Sequence, residues 1–257
     1  MEQDKTDQGN PGIVRRATDL LAAFSAEDRS LTVAELARRA GLARSTAYRL
    51  VEQVVEVGLM ERHGTRIQLG LRLYELGLQV PQQRTLRTAV SPYLHDLRDA
   101  TRHTANLAVL DGADIVYVDR VPGPNAPPLP FRLGGRHVAH ATAMGKAIMA
   151  HLEADELAAI LPETLGAVTP RTTTDRATLT RELAKVRSNG LAIDHEETRL
   201  GVTCVGSPIF DRHGRVLAAI SVTGLAGPAA LGRYGPAVRM AALNATRFLQ
   251  RTAIHAR

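Results

Sequence analysis

The sequence predicts an α+β protein with a small helical unit near its N-terminal end and a larger antiparallel sheet flanked by helices. Two observations lead to this fold class. Residues 32–70 combine two short amphipathic helical patterns, a glycine turn and a hairpin pattern. Beyond residue 100, apolar runs of strand length occur in pairs that are separated by turn signals, and helical periodicity follows between them. Hairpin-linked strands mixed with helices favour an antiparallel sheet over a doubly wound parallel one.

The range 11–70 has the element order of a winged helix-turn-helix, preceded by a tail over residues 1–10 that we expect to be disordered. A first helix carries an apolar face from Ile13 to Phe24. The next helix begins with a capping box of Thr32 and Glu35, and Gly41 suits the left-handed residue that ends it. A second helix with an apolar stripe follows, and then a two-stranded hairpin with His63-Gly64 at its tip.

The polar face of the second helix and the hairpin predict contact with double-stranded DNA. The segment from Arg38 to Arg66 carries six arginines against three glutamates, although residues 1–80 are formally neutral. We expect the helix to reach the major groove and the hairpin arginines to contact phosphates. Against this, Ala43 is a poor residue for a helix N-cap. The predicted DNA contacts are Arg44, Ser45, Thr46, Tyr48, Arg49, Gln53, Arg62 and Arg66.

A linker helix is predicted over residues 71–90. Leu71, Tyr74 and Leu78 form an apolar stripe that stops before Pro81. Because this stripe has no partner in the sequence pattern and one recognition helix reads only a few base pairs, we expect a homodimer. Ser91 followed by Pro92 predicts the start of another helix, and with it a second domain over residues 91–257.

The second domain is predicted to contain two hairpins and several helices. The runs TANLAVL and IVYVDRV flank Asp111-Gly112, and VTCVGSPIF and VLAAISVTG flank a turn at residues 211–214. The proline-rich run PGPNAPPLP is expected to be an extended loop. Helices are expected over Ala143–Leu152, Asp155–Leu161, Arg176–Asn189 and Pro236–Arg251.

Composition narrows the class of protein. The chain has 257 residues, 44% of them hydrophobic, which is enough for one small and one medium domain. No stretch approaches the ~20 apolar residues of a membrane-spanning helix, and residues 1–10 lack an apolar signal region, so a soluble cytoplasmic protein is expected. The single cysteine excludes an intramolecular disulfide and fits a reducing compartment.

Five segments of the sequence resemble the isocitrate lyase regulator (IclR) family of bacterial transcription factors. The first half contributes AELARRAGLARSTAYRL, GLMER and IQLGLRLYELG, and the second half contributes HATAMGKAIMA and GLAIDHEETRLGVTCVGSPIFDRHGRVLAAISVTG. The resemblance runs from Ile13 to Leu249. It implies a DNA-binding domain, a linker helix and a ligand-sensing domain of the GAF/PAS kind. The expected function is a ligand-responsive transcriptional regulator, with repression favoured over activation.

The resemblance also implies an effector pocket. Its expected lining is Leu129, Ala143, Met144, Asp194, Cys204, Ser221 and Thr223, with Phe131 and His137 as further wall residues. The hydroxyls of Ser221 and Thr223, two residues apart, face one side of a strand, and free N–H groups at residues 142–144 suit an anion. A small carboxylate metabolite is therefore expected, and the charge of Asp194 argues for a monocarboxylate over a polyphosphate.

Other readings of these residues stay open at this point. Asp194-His195-Glu196-Glu197 resembles a metal cluster, but alternate residues of a strand face opposite sides and no second ligand group supports it. Cys204 with His195 as base would be a nucleophile pair only within hydrogen-bond reach. We expect no metal, no cofactor and no catalytic residues. The alternative function is a GAF-like sensor or enzyme whose N-terminal domain mediates protein contacts.

Overall fold

A computed structural model of the chain describes residues 12–25, 27–124, 131–225 and 233–251. The chain divides into two compact units, Met1–Val80 and Pro81–Arg257. The predicted disordered tail at residues 1–10 and most of the proline-rich loop lie outside the described residues. Within the described ranges, no helix combines the length and apolar character that crossing a membrane requires.

The first unit is a winged helix-turn-helix. Its elements are α1 (Ile13–Ala22), β1 (Leu31–Thr32), α2 (Val33–Arg39), α3 (Arg44–Glu56), β2 (Met60–His63), β3 (Arg66–Leu69) and α4 (Leu71–Leu78). The wing is larger than the predicted two-stranded hairpin, because β1 pairs with β3 in a three-stranded sheet of order β1-β3-β2. This pairing joins Leu31 to Ile67 and places both side chains in the core.

Local interactions explain why the helices of this unit begin and end where they do. The Thr32 hydroxyl accepts the Glu35 N–H at 3.3 Å, and the Glu35 carboxylate accepts the Thr32 N–H at 2.7 Å, which is the predicted capping box. Gly41 has a φ of +66° and reverses the chain towards α3. Ala43 caps α3 without a side-chain hydrogen bond. The buried residues of these helices and the wing form one core.

The second unit is a six-stranded antiparallel sheet between two layers of helices. Its elements are α5 (Pro81–Thr101), β4 (Thr104–Asp111), β5 (Asp114–Val121), β6 (Arg136–Val138), a short 3₁₀ helix (Ala139–Ala141), α6 (Ala143–Met149), α7 (Ala154–Ile160), α8 (Arg176–Asn189), β7 (Ala192–His195), β8 (Val202–Phe210), β9 (Val216–Leu225) and α9 (Gly235–Arg251). The strand order is β6-β5-β4-β9-β8-β7. The predicted α+β class with an antiparallel sheet is confirmed.

The two faces of this sheet carry separate cores. On one face, α5 and α9 pack through residues such as Leu94 and Ala242 against Leu107 and Ile220 of the sheet. On the other face, α6 and α8 pack through side chains that include Met144 against strand residues such as Ala219. The candidate site described below lies on the α6 face.

The helix that was predicted to begin at Ser91 begins at Pro81 instead, so the prediction of an N-cap at Ser91 is wrong. Pro92 lies inside α5. An internal proline removes one backbone hydrogen bond and costs about 3 kcal/mol. The helix continues through it because Leu86 and Val90, before Pro92, are fully buried on the same core as Leu94. Tertiary packing of this continuous stripe outweighs the local signal.

The remaining predicted elements of the second unit are found close to their expected bounds. Both hairpins form, and α8 has the predicted bounds. The helix expected over Ala143–Leu152 ends earlier, at Met149. The sequence pattern did not identify β6, a strand of only three residues at the edge of the sheet.

A Gly145→Ala substitution is expected to destabilise the second unit by about 1–3 kcal/mol, as overpacking does. A Cβ at this position would overlap the carbonyl oxygen of Ala139 in the 3₁₀ helix, and backbone atoms have no room to retreat. Helix propensity alone predicts the opposite sign, since alanine is favoured over glycine by about 1 kcal/mol. Urea unfolding measures the difference. Gly166→Ala is the matched control, because its Cβ would meet nothing within 4 Å; equal stability of both variants would contradict the close approach.

Candidate functional site

A row of polar side chains crosses the sheet beneath the start of α6. Residues that are directly opposite in neighbouring antiparallel strands point to the same face. Asp194 of β7 is opposite Cys204 of β8, which is opposite Thr223 of β9. In the adjacent row, Ser221 of β9 is opposite Asn106 of β4. All five residues are buried, so the sheet carries an unusual polar strip inside the protein.

A small cavity lies between this polar strip and α6. Its lining consists of Tyr117, Phe131, Thr142, Ala143, Met144, Asp194, Thr198, Cys204 and Ser221. The free volume is about 10 Å³, roughly the space that one water molecule needs. An organic ligand of several atoms fits only if lining groups move apart.

Asp194 organises the loop at one end of the cavity. Its carboxylate accepts the N–H of Glu197 at 2.7 Å and the hydroxyl of Thr198 at 2.6 Å. Burial is the main cause that raises the pKa of Asp194, to about 6, and the nearby Glu197 charge acts in the same direction. The hydrogen bonds to Glu197 and Thr198 and the charge of Lys146 oppose the rise. Asp194 thus titrates close to neutral pH instead of being a permanently charged group.

Lys146 anchors the same loop from inside the protein. Its side chain is completely buried, and the ammonium group donates to Glu182 at 2.8 Å and to Glu197. It also contacts the Ile193 carbonyl oxygen at 3.4 Å. Thus one cation joins α6 to α8, to β7 and to the loop that follows Asp194.

The hydroxyl and thiol groups of the strip bond mainly to one another. Asn106 donates through Nδ2 to Thr223 Oγ1 at 3.0 Å and to Ser221 Oγ at 3.3 Å, and Cys204 Sγ lies 3.2 Å from Thr223 Oγ1. Burial raises the pKa of the Cys204 thiol. Thr223 therefore supports the strip from within, whereas Ser221 lines the cavity.

Tyr117 and Phe131 line the cavity as an aromatic wall, and His137 packs against this wall. Tyr117 and Phe131 stack with a centroid separation of 5.7 Å, and His137 meets both rings edge-on. Burial raises the pKa of the Tyr117 hydroxyl, as do the charges of Cys204 and Asp194, and the positive charge of Arg120 opposes this. Burial lowers the pKa of His137, so this wall is neutral at neutral pH.

The first turn of α6 closes the cavity from above. The Thr142 hydroxyl accepts the Gly145 N–H at 2.9 Å, and the Thr142 carbonyl accepts the Lys146 N–H. The turn lies directly on β8, where a Cβ at Gly206 would lie 2.9 Å from the Ala143 carbonyl oxygen. Only a residue without a side chain permits this approach, which brings Ala143 and Met144 to the polar strip.

The structure brings most of the predicted pocket residues together. Five of them line one cavity and Thr223 lies beside it: the five are Ala143, Met144, Asp194, Cys204 and Ser221. Leu129 is outside the described residues. Sequence reasoning did not identify Tyr117, Thr198 or Asn106. The alternation of side chains along a strand could have identified Asn106. In TANLAVL it lies between Ala105 and Leu107, which both face the opposite core.

The two catalytic alternatives have no geometric support among the described residues. His195 is exposed on β7, whereas its neighbour Asp194 is buried on the cavity face with Cys204. His195 therefore points away from the thiol. A search of the described ranges for three or more His, Cys, Asp or Glu residues that together are suited to a metal ion finds no such group.

A larger and more open groove lies elsewhere on the second unit. It has a volume of about 750 Å³ and is bordered by residues such as Leu110, His151 and Arg215. No predicted site residue lines it. Its openness to solvent and the absence of a buried polar group at its walls distinguish it from the cavity under α6.

The first unit presents the predicted recognition face on α3. Ala47, Leu50 and Val51 are buried, so the helix packs through one stripe. The opposite side is solvent-exposed and consists of Arg44, Ser45, Tyr48, Arg49 and Gln53, with Thr46 partly exposed. Among the described residues, neither Arg44 nor Arg49 forms an ion pair. Such a face presents unused cationic donors to an anionic partner.

The wing arginines have partners that the sequence did not predict. Arg62 pairs with Glu52 of α3. Arg66 donates from Nε to the Ser30 hydroxyl at 2.7 Å and from a terminal nitrogen to the Ser30 carbonyl at 2.6 Å. Both side chains remain exposed. The Arg62 contact joins the wing to α3, and the Arg66 contacts join β3 to the residue before β1.

Both units are similar to known families. Residues 13–64 match the IclR helix-turn-helix domain, and residues 78–244 match the family described as bacterial transcriptional regulator IclR C-terminal. The HTH-type transcriptional regulator XynR of Escherichia coli K12 is 33% identical over 215 residues, 82% of this chain and 85% of that protein. The transcriptional repressor IclR of the same organism is 32% identical over 81% of this chain and 78% of its own length.

Solved structures agree with this assignment. An IclR homologue from Microbacterium hydrocarbonoxydans in complex with 4-hydroxybenzoate superposes with a TM-score of 0.84 at 28% identity, over 93% of this chain and all of that chain. The IclR protein of Thermotoga maritima superposes with a TM-score of 0.75 at 32% identity, over 92% and 98% of the two chains.

The raised pKa of Asp194 gives the stability a pH dependence with a defined sign. The folded state holds this proton more tightly than the unfolded chain, whose carboxyl titrates near 3.8. Protonation therefore stabilises the fold at low pH, and this contribution is lost as the pH rises through about 6. The loss is on the order of 3 kcal/mol, because one pKa unit corresponds to about 1.4 kcal/mol.

Urea unfolding of the wild type and of Asp194→Asn between pH 4 and 7.5 measures this effect. As the pH rises, the free energy of unfolding of the wild type should fall relative to that of Asp194→Asn. The histidines, which are common to both proteins, cancel in the difference. A constant difference across this range would show that the Asp194 carboxyl is not perturbed.

Proposed function

The chain belongs to the IclR family of bacterial transcriptional regulators, and on that premise we propose that it is a repressor that senses a small organic monocarboxylic acid. The family makes it a DNA-binding regulator with a C-terminal effector-binding domain and not an enzyme. The observation that carries the proposal is the closed polar cavity under α6, because it joins a titratable carboxylate to hydroxyl groups and aromatic walls.

The recognition face of α3 supports a role in reading operator DNA. Tyr48 and Arg49 lie in the middle of its exposed side, where a recognition helix contacts base edges. Arg62 and Arg66 lie on the wing at the edge of the unit, where phosphate contacts orient such a domain. Arg62 would exchange Glu52 for a phosphate oxygen, and Arg66 would use the donors that Ser30 leaves free.

A dimer is the proposed DNA-binding form. One recognition helix reads only a few base pairs, so useful specificity needs two half-sites. Helix α4 supports this, because it has no buried residue and exposes Leu71, Tyr74 and Leu78 to 64%, 62% and 40%. An apolar stripe of this kind on a linker is suited to pairing with its copy, and further association to a tetramer is compatible with it.

The chemistry of the cavity favours a small monocarboxylate as effector. Hydroxyl and amide groups can bind a carboxylate, and the stacked rings of Tyr117 and Phe131 accommodate an apolar body. Asp194 disfavours a ligand with several negative charges. The 4-hydroxybenzoate bound by the Microbacterium homologue is an acid of this class.

The size of the cavity supports a link between binding and regulation. Since about 10 Å³ admits no organic acid, binding requires α6, the aromatic wall or the loop after Asp194 to move. An effector shifts operator affinity only by its different affinity for the two arrangements, typically by 1–3 kcal/mol, or roughly 5- to 150-fold.

Replacing Arg49 by alanine is expected to weaken binding to a cognate operator by about 1–3 kcal/mol and to reduce discrimination against random duplexes. Fluorescence anisotropy with an operator selected in vitro from random duplexes measures both. Arg66→Ala should instead weaken binding to all duplexes and lower the salt slope by about 1.

Arg247→Ala is the matched control, because it removes an exposed arginine from α9 in the second unit. An unchanged ratio of specific to random affinity in Arg49→Ala would refute the base-reading role of Arg49, whereas the phosphate role of Arg66 is tested separately by its salt slope.

Calorimetry with a panel of aliphatic and aromatic monocarboxylic acids, including benzoate and 4-hydroxybenzoate, tests the effector class. Ser221→Ala should bind the tightest acid of the panel about 3- to 10-fold more weakly, the worth of one hydrogen bond. Ser207→Ala is the control, because its buried hydroxyl on β8 donates to the Gly190 carbonyl and does not line the cavity. Absence of any binding, or equal loss in both variants, would rule out this site.

A further inference from the structure

Arg120 is a partly buried cation on the cavity side of the sheet. It lies on β5 directly opposite Asn106 of β4, which is itself opposite Ser221 of β9. Directly opposite residues share a face and their Cβ atoms are about 5 Å apart. The three side chains therefore continue the polar strip towards the aromatic wall.

The guanidinium of Arg120 has no carboxylate partner in the part of the chain that the structure describes. One terminal nitrogen donates to the carbonyl oxygen of Phe131, which lines the cavity. Its Nε is buried and has no hydrogen-bond partner among the described residues. The preceding residue on β5, Asp119, does have a charged partner. It points to the opposite side of the sheet, where it lies 3.7 Å from Arg87 of α5. A desolvated arginine donor without an acceptor is costly unless an anion arrives.

Asn106 supplies a second unsatisfied atom next to this cation. Asn106 is only 1% exposed, and within the described ranges its Oδ1 has no hydrogen-bond partner. Its Nδ2 is used by Thr223 and Ser221. A free acceptor beside a free cationic donor matches a ligand that offers a hydroxyl hydrogen beside a carboxylate.

We propose that Arg120 and Asn106 form the subsite that recognises the charged end of the effector, and that the effector is a 2-hydroxy acid. This inference rests on the proposed function of the cavity as an effector site. The carboxylate binds Arg120 and the adjacent hydroxyl donates to Asn106 Oδ1. The ligand body then lies towards Ser221 and the stacked rings, and its negative charge stays at the end of the strip away from Asp194.

Paired ligands test the two contacts on the full-length protein. The first comparison uses the tightest-binding acid of the panel and its primary amide, which lacks the charge. Arg120→Gln should lose roughly 10- to 150-fold in affinity for the acid, the worth of a hydrogen bond to a charged group, and little for the amide. Arg120→Lys should keep part of the preference for the acid, because it keeps the charge without the planar fork.

The second comparison uses three pairs that differ in one hydroxyl beside the carboxylate: glycolate with acetate, lactate with propionate, and mandelate with phenylacetate. The wild type should bind the hydroxy acid of a pair about 3- to 10-fold more tightly. Equal affinities would overturn the role of Asn106.

Arg132→Gln is the matched control, since it removes an exposed arginine that follows Phe131 directly. Thermal unfolding and operator binding of each variant establish that it is folded. If acids bind but Arg120→Gln keeps the wild-type preference for acid over amide, the subsite is wrong while the proposed function stands. If no acid binds the wild type, the proposed effector class is wrong, and the proposed subsite is wrong as well.

Discussion

The buried ion cluster of Lys146 is the interaction on which the arrangement of the sensing unit depends. The ammonium group has no exposure to solvent and is held by Glu182 and Glu197. Removing one partner of such a cluster leaves an uncompensated buried charge and typically costs 3–5 kcal/mol. Because the partners lie on α8 and on the loop after β7, this one cation fixes α6 relative to both. The position of the cavity ceiling relative to its acidic end follows from that constraint.

The same cluster links the cavity to more distant parts of the unit. Glu197 donates its N–H to Asp194, and its carbonyl accepts the hydroxyl of Thr172. A ligand that moves Asp194 therefore also disturbs the loop near Thr172 and, through Lys146, the helix that carries Glu182. Closely packed elements of this kind have discrete arrangements and do not deform continuously. On the proposed function, these contacts are the route by which a displacement at the polar strip would reach α8 and the loop near Thr172.

Charged side chains lie at the two ends of the polar strip, and the residues between them are neutral. Asp194 lies at one end and Arg120 at the other, with neutral Cys204, Ser221 and Asn106 between them. In a desolvated site, electrostatic interactions are stronger than in water, so the two ends are not equivalent for an anion. The hydroxyls of Ser221 and Thr223 both accept from the Asn106 amide, and Thr223 also lies against the Cys204 thiol, so these side chains are linked before any ligand binds.

Local sequence signals were sufficient to predict the capping box at Thr32, the hairpin turns, and the helical and strand periodicities. The sequence also predicted five lining residues of the cavity through the family resemblance. Tertiary structure decided two other features. Packing of Leu86 and Val90 carried α5 through Pro92, and a β-bulge after Leu107 shifted the pairing of β5 by one residue. A one-residue shift reverses the face of every following side chain, so Arg120, and not its neighbour Asp119, lies on the α6 side of the sheet. No local pattern in the sequence encodes that shift, because it arises from the pairing of two strands.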